Sequence, residues 1–482
     1  METKCGLRPQ GVITPRQFST EKGYASQFTQ ADHSRKDSIL KSMFRTTPTR
    51  LAATLNQTPV LAFLWLVTIL QISTICRQMS QHAMNLDFSV YYLSALAVRH
   101  GDNPYKTDFP AAAAGFGLQV GDIEHATDPP TFLITIFPLA LMPPRVAYYV
   151  WQGFNAALLI AALALLLGHS CGLNAKARLS LAALALFYPP IHFHFYLAQS
   201  KIPILLLLVL MMRSMEWGWN RAAGVFLGLA GLLRVFPLLL VGYLVMRRRW
   251  QTLIWTLIAL AIGGIVTIEL LGLTSSLSFS KGVSLNLRHD AIALHTNIAL
   301  SAAISRFLWG LLGQGTVSDW VRAIAIGVAD AALVGSAIWA TLRLGADEDP
   351  YWCALSVWIV ASVLLSPTAW PHYMVLFLIP FTQLASAAND GNVVTCAQWL
   401  ALLSYALAIP ALFLLTPSSL IEDDLPVRWV HLLNAVALEG YFAGSLMLYI
   451  AIFSWTIKEA HGPHDVAAGA RSQSQKGKLG GA

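Results

Sequence analysis

The chain has 482 residues, is 56% hydrophobic and only 12% charged, about half the charge that a soluble domain carries, which excludes an ordinary soluble globular protein. Its net charge of +7 does not point to nucleic acid, because the basic residues gather at the ends of apolar runs, where they act as orientation signals for membrane insertion. Several runs reach the roughly 20 residues that a helix needs to cross about 30 Å of hydrocarbon, so the sequence predicts an all-α polytopic membrane protein. The five cysteines (Cys5, Cys76, Cys171, Cys353 and Cys396) are scattered without metal-ligand spacing and read as small apolar residues.

In chain order, residues 1–57 are polar, with nine Lys and Arg against four acids. They lack the apolar core of a secretory signal, which predicts a disordered basic cytoplasmic tail. A first span at about 58–76 leads to a mostly polar external stretch, about 77–144, that carries Asp87, Asp102, Asp108, Asp122, Glu124 and Asp128. Within it, Thr131 to Pro143 is apolar but only thirteen residues long and interrupted by Pro138, the length of a re-entrant or interfacial helix. A span at 145–168 returns, and spans at 179–197 and 202–213 make a hairpin around Gln199-Ser200-Lys201. Segment 222–246 has basic residues at both ends, Arg221 before it and Arg247-Arg248-Arg249 after it. A single crossing would put one cluster outside, so the positive-inside bias predicts a hairpin bent around Arg234-Val235-Phe236-Pro237.

Spans at 250–271 and 320–344 flank a second external stretch, 272–319. Spans at 351–366 and 373–389 then bracket an external turn at 366–373, and spans at 395–416 and 431–456 bring the chain back inside before a second disordered tail, 457–482. The total is about twelve crossings of a plasma (inner) membrane, with both termini cytoplasmic. This threading places Asp87, Gln199 to Lys201, Arg288-His289, Asn297 and Trp370 to Tyr373 on one external face.

Asp87 opens the aromatic segment Phe88-Ser89-Val90-Tyr91-Tyr92. It reads either as a helix N-terminal acid that complements the dipole or as a base at the lipid–water boundary. Asp128-Pro129-Pro130 is a rigid corner. Arg288, His289 and Asn297 occupy a loop that is either solvated or suited to an anionic headgroup. Arg234 lies between apolar arms, where an Arg costs at least ~2.5–3.5 kcal/mol unless it faces a partner or a polar cavity. It therefore either pairs with Asp330 or binds phosphate with its guanidinium fork. His192 and His194, two residues apart, do not share a helix face and read as interfacial polar residues. His372 lies in a Pro-bounded turn.

The ordered set of motifs resembles glycosyltransferase family 87, the GT-C-type integral membrane transferases that include polyprenyl-phosphate-mannose-dependent mannosyltransferases. It comprises Asp87 to Tyr92, Asn103-Pro104-Tyr105, Asp128-Pro129-Pro130, Phe137-Pro138 to Pro143, Trp151, Gln199 with its leucine run, Ala223 to Leu229 leading to Arg234 to Pro237, Asn297 to Ser301, and Ser366-Pro367 through Tyr373. The resemblance implies a GT-C-like bundle over about 58–456, a polyprenyl-phosphate sugar as donor and a lipid or glycan acceptor within the membrane lipids. It implies inversion, with Asp87 as general base. Arg234, Lys201, Arg288 and His372 are the candidates for the donor phosphate. Tyr91, Asp128, Gln199, His289, Asn297, Trp370 and Tyr373 are the candidates for further substrate contacts. Two positions depart from the family. Arg234 stands where Lys is frequent, and Ala198 replaces the Gly before Gln199, narrowing the backbone approach there.

No Asp-x-Asp pair lies in the external loops, and side-chain cations can neutralise a leaving monophosphate, so no metal or cofactor is expected. The alternative from another class is a transporter or flippase of lipid-linked sugars. Such a protein places polar residues near the bilayer midplane, a description that only Asp330 and Glu439 meet.

Overall fold

The computed structural model describes residues 57–81, 86–118, 120, 123, 125–168, 173–286, 296–312, 317–344, 349, 352–389, 395–409 and 427–460. Among the described residues every regular element is helical. The first half contains α1 (Thr58–Gln81), α2 (Leu86–His100), α3 (Phe109–Ala114), α4 (Pro130–Ile136), α5 (Pro144–Gly168), α6 (Ala175–Phe187), α7 (Pro189–Tyr196), α8 (Lys201–Glu216) and α9 (Asn220–Leu233). The second contains α10 (Leu240–Met246), α11 (Trp250–Asn286), α12 (Leu300–Leu312), α13 (Asp319–Arg343), α14 (Cys353–Leu364), α15 (Leu378–Asn389), α16 (Thr395–Ala408) and α17 (Val427–Ala460). Short 3₁₀ turns at Phe137–Leu141, Phe236–Leu239 and Pro371–Phe377 each begin near a proline.

Among the described residues, five helical stretches are long and apolar enough to cross a bilayer: Thr58–Gln81, Pro144–Gly168, Trp250–Phe279, Asp319–Arg343 and Glu439–Ala460. The protein is a polytopic helical membrane protein. The remaining apolar helices are shorter than the expected spans because the chain breaks at definable places. The expected span at 179–197 divides at Tyr188, which is extended (ψ 119) ahead of Pro189, as the residue before a proline must be. The stretch Thr131–Pro143 folds as α4 followed by a 3₁₀ turn. In α11, Gly272 (φ 77, ψ 154) interrupts the helix where the sequence reading ends that span. Of the two expected tails, only Gln57 and the last turn of α17 fall within the described residues.

Four helix ends close with the same hydrogen-bond pattern, in which the residue after the cap adopts a left-handed backbone. After α2 and α8 that residue is glycine, Gly101 (φ 80) and Gly218 (φ 75). After α7 and α10 it is Ala198 (φ 51) and Arg248 (φ 53), which carry a Cβ in a region that disfavours one. At α7 the Ala198 N–H donates to the Phe195 carbonyl at 3.2 Å and the Gln199 N–H to the His194 carbonyl at 2.9 Å. This reversal aims Gln199, Ser200 and Lys201 together into one corner.

Segment 220–246 does turn back on itself. Near its two ends, Glu216 accepts from the Trp352 indole at 2.6 Å and Tyr243 donates to Asp349 at 3.0 Å, so both ends reach one place. Its bend, at Arg234, reaches Asp128. Gly224 and Gly228, one turn apart, let α9 lie directly on α11. A Cβ at either glycine would overlap the Thr252 carbonyl or Ala259, the small-residue contact that packs helices closely within membranes.

Two apolar cores result. The larger runs through α5 to α10 and α12 to α17. The smaller joins α2 to α5 and includes Phe88, Tyr91, Tyr105, Phe132, Tyr148, Trp151 and Ala198. Met79 and Leu233 pack against both. Several of the polar residues singled out by the sequence, Asp87, Asp128, Gln199, Lys201 and Arg234 among them, lie at this seam.

Candidate functional site

Asp87 occupies the first turn of α2, where the helix dipole favours a carboxylate. Its Oδ2 accepts from the Gln199 amide at 2.7 Å, and among the described residues that is its one protein hydrogen bond. Gln199 is buried and its orientation is determined by its neighbours. Its Oε1 accepts from Lys201 Nζ at 3.0 Å and from the Tyr91 hydroxyl at 3.1 Å. An ammonium can only donate, so the NH₂ end of the amide must face Asp87. Ser200 Oγ completes the group, 3.5 Å from Lys201 Nζ and 3.4 Å from the Tyr91 hydroxyl. Burial pushes the Asp87 carboxyl up from its usual range, against the lowering effect of the Gln199 hydrogen bond and of Lys201.

Lys201, at the first residue of α8, is buried. Its ammonium lies 4.5 Å from the centre of the Tyr373 ring, a cation–π contact. Among the described residues no carboxylate pairs with it. Arg234 has a different environment. It ends α9 in extended backbone and forms an ion pair with buried Asp128, its guanidinium 5.7 Å from the centre of the Phe132 ring. The expected alternative partner, Asp330, is therefore not the partner of Arg234. Asp330 lies within α13, half-buried. Asp128 is held through its backbone too, since the Tyr105 hydroxyl donates to the Asp128 carbonyl at 2.7 Å.

The turn at 366–373 supplies the opposite wall. His372 and Tyr373 are both buried, with ring centres 5.2 Å apart, and Tyr373 also packs against Phe236 at 5.1 Å. Among the described residues neither His372 ring nitrogen has a hydrogen-bond partner. Burial, then Lys201, His194 and Arg234, push this imidazole well below its usual range, so at neutral pH it offers a neutral N–H and a lone pair in place of the cation expected from sequence. Trp370 is half-buried beside it, and its carbonyl accepts from the Tyr373 N–H at 2.8 Å.

Asn297 is completely buried, and its Oδ1 accepts from the backbone N–H of Ala369 at 3.0 Å and of Ala299 at 3.1 Å. The Ile298 N–H donates to the Ala369 carbonyl at 2.7 Å. Asn297, a candidate for substrate contact from the sequence, thus stitches its own loop to the turn that carries His372. Arg288 and His289 lie outside the described residues. His192 and His194 are buried within the protein. The former sits 2.6 Å from Gln78 Oε1 and the latter 3.1 Å from Asn155 Oδ1. Glu439 is engaged by Arg306 at 2.8 Å. No group of three His, Cys, Asp or Glu among the described residues could hold a metal ion.

Asp87, Tyr91, Asp128, Gln199, Lys201, Arg234, His372 and Tyr373 thus meet at one seam although nearly 300 residues separate the first from the last. Sequence reasoning missed Ser200 and Phe132. Ser200 carried a signal in its place between Gln199 and Lys201. Phe132 carried none, because an aromatic residue in an apolar run looks like core. The sequence model of glycosyltransferase family 87 matches residues 127–367, half of the chain, and takes in Asp128, Gln199, Lys201, Arg234 and Asn297. No curated protein matches the chain.

Proposed function

The chain belongs to glycosyltransferase family 87, and from that premise we propose that it moves a hexose, mannose by preference, from a polyprenyl-phosphate sugar to a hydroxyl of a lipid-linked or glycan acceptor. In this reading the site faces the extracytoplasmic side of the plasma membrane, and both chain ends are cytoplasmic. The observation that carries the chemistry is the contrast between the two carboxylates of the seam. Asp128 is tied to Arg234, whereas Asp87 meets one neutral donor and keeps Oδ1 for substrate. A base must have a lone pair within reach of the proton that it takes, and Asp87 meets that condition.

Asp87 Oδ1 accepts the proton of the acceptor hydroxyl as that oxygen bonds to the anomeric carbon. The bond from that carbon to the phosphate oxygen breaks on the opposite face, which inverts the centre and releases a lipid monophosphate. The charge developing on the phosphate needs fixed donors. Lys201 suits this role best because no described carboxylate neutralises it, while Arg234 is already committed to Asp128. His372 can donate its ring N–H to a phosphate oxygen. Tyr373, under the Lys201 ammonium, keeps the cation in place.

The test is an assay of the purified protein in detergent with a panel of polyprenyl-phosphate hexoses, following both transfer and hydrolysis. Turnover without any membrane gradient is the expected result and is incompatible with gradient-driven transport. Normal turnover by Asp87→Asn, at normal expression, would overturn the assignment of the base.

A further inference from the structure

A buried carboxylate near a buried ammonium will ordinarily form a direct pair, since each relieves the desolvation of the other. The Asp128–Arg234 contact is such a pair. Asp87 and Lys201 lie in the same seam yet do not touch. Between them stands the Gln199 side chain, whose NH₂ donates to Asp87 at 2.7 Å while its carbonyl accepts from Lys201 at 3.0 Å. From this geometry we infer that Gln199 is a neutral spacer, a positioning residue that keeps the base and the phosphate-binding cation from quenching each other.

The inference rests on the proposed roles of Asp87 and Lys201 and adds what neither role requires. A direct contact would cost the site twice. The carboxylate would become a weaker proton acceptor, and the ammonium would meet the donor phosphate already neutralised. A primary amide is suited to the position because it presents a donor at one end and an acceptor at the other without adding charge. The Lys201 ammonium, which can only donate, keeps the amide from flipping, and the Tyr91 hydroxyl donates to the same Gln199 oxygen at 3.1 Å. The turn at Ala198, whose carbonyl accepts from the Trp151 indole at 2.8 Å, fixes the backbone from which Gln199 projects. The charged and titratable groups that face Asp87 are Lys201, Asp128, Arg234, Tyr91 and Tyr373, so an altered spacer changes its balance with the nearest of them.

Two substitutions make opposite predictions. Gln199→Ala removes the amide hydrogen bond, which alone would raise the carboxyl, but it also lets Lys201 close on Asp87. Direct contact with a cation outweighs one neutral donor, so the carboxyl titrates at lower pH, by roughly one unit. Gln199→Glu keeps the shape but places an anion beside Asp87, which then titrates at higher pH. The readout is an infrared pH titration of the detergent-purified full chain carrying ¹³C-labelled aspartate, with the Asp87 band identified by its absence in Asp87→Asn. It needs no substrate. Opposite shifts in the two variants support the spacer. Equal shifts, reversed shifts or none overturn it, and Gln199→Ser, which likewise shortens the side chain and lets Lys201 approach, takes the place of the alanine variant if that does not fold. With a donor that the wild type accepts, the acid limb of kcat/KM should move with the band. If Asp87→Asn still turns over while the bands shift as expected, the catalytic reading fails and the spacer stands. If Asp87→Asn is inactive and the bands do not move, the spacer alone fails.

Discussion

Helix α8 has a polar cluster at each end, and the two are built differently. Its sixteen residues separate them by roughly 24 Å at the usual rise of an α-helix. At the Glu216 end the acids are saturated with donors. Asp349 accepts from the Ala354 N–H at 2.9 Å, the Leu355 N–H at 3.2 Å, the Tyr243 hydroxyl at 3.0 Å and the Cys353 thiol at 3.3 Å. Glu216 pairs with Arg213 and accepts from the Trp352 indole at 2.6 Å. At the Lys201 end, Asp87 has one donor and His372 has no described partner. A buried acid with every lone pair occupied holds helices together. One left with capacity to spare is poised for a ligand, at the expense of stability.

The contrast is most sharply broken or confirmed by exchanging acid for amide or alanine at each end. Asp87→Asn should lower turnover about 10²–10⁴-fold, the contribution of a positioned base. It should leave thermal unfolding unchanged or raise its midpoint. The sign follows from the raised carboxyl of Asp87. The folded state binds its proton more tightly than the unfolded state, so the ionised group opposes folding at neutral pH and that burden eases as pH falls. Turnover by the wild type should fall as pH drops through the same elevated value, whereas an unperturbed Asp would hold activity down to about pH 4.

Asp349→Ala is the converse. Each buried donor left without an acceptor costs about 1–3 kcal/mol, so the unfolding midpoint should drop by several degrees while turnover per folded molecule stays near that of the wild type. A loss of turnover without destabilisation would show that the two ends are not separable.

Lys201→Met should raise the KM for the donor by about 10–100-fold, the equivalent of one charge-assisted hydrogen bond at ~1.5–3 kcal/mol. The KM for the acceptor should be little changed, and steady-state kinetics varying each substrate in turn separate the two. Ala198→Gly should have the smallest effect. Relief of a left-handed alanine, worth ~1–2 kcal/mol, is offset by about 0.8 kcal/mol for one buried methyl and by the greater freedom of glycine in the unfolded chain. The unfolding midpoint should therefore move by no more than a few degrees.

Much of this organisation was legible in the sequence, because charge placement in membrane proteins carries topological information. The basic residues on both sides of 222–246 required a bend at Arg234, and the alternation of apolar runs put Asp87, Gln199, Lys201 and His372 on one side. Partner choice was not legible. Arg234 had Asp330 as its one acidic candidate, and only the tertiary arrangement reveals Asp128, which the α9 bend reaches, as its partner. The charge of His372 was equally hidden, since burial and neighbouring cations decide it. Nor does a helix reversal at Ala198 announce itself, as the glycines at 101 and 218 do, when the residue in the left-handed position is alanine.

The Asn297 stitch has a consequence for how such a site can diversify. It grips the Ala369 backbone through that residue's N–H, and the neighbouring Ile298 N–H holds the Ala369 carbonyl, so this stitch uses backbone alone on the turn side. The one side chain of the preceding stretch that the structure shows bracing the turn is buried Ser366, which donates to the Thr368 carbonyl at 2.8 Å. Pro367, two residues before Ala369, is exposed. The rim of the turn can accumulate substitutions while His372 and Tyr373 stay in register, which separates the surface open to evolutionary drift from the machinery that cannot tolerate it.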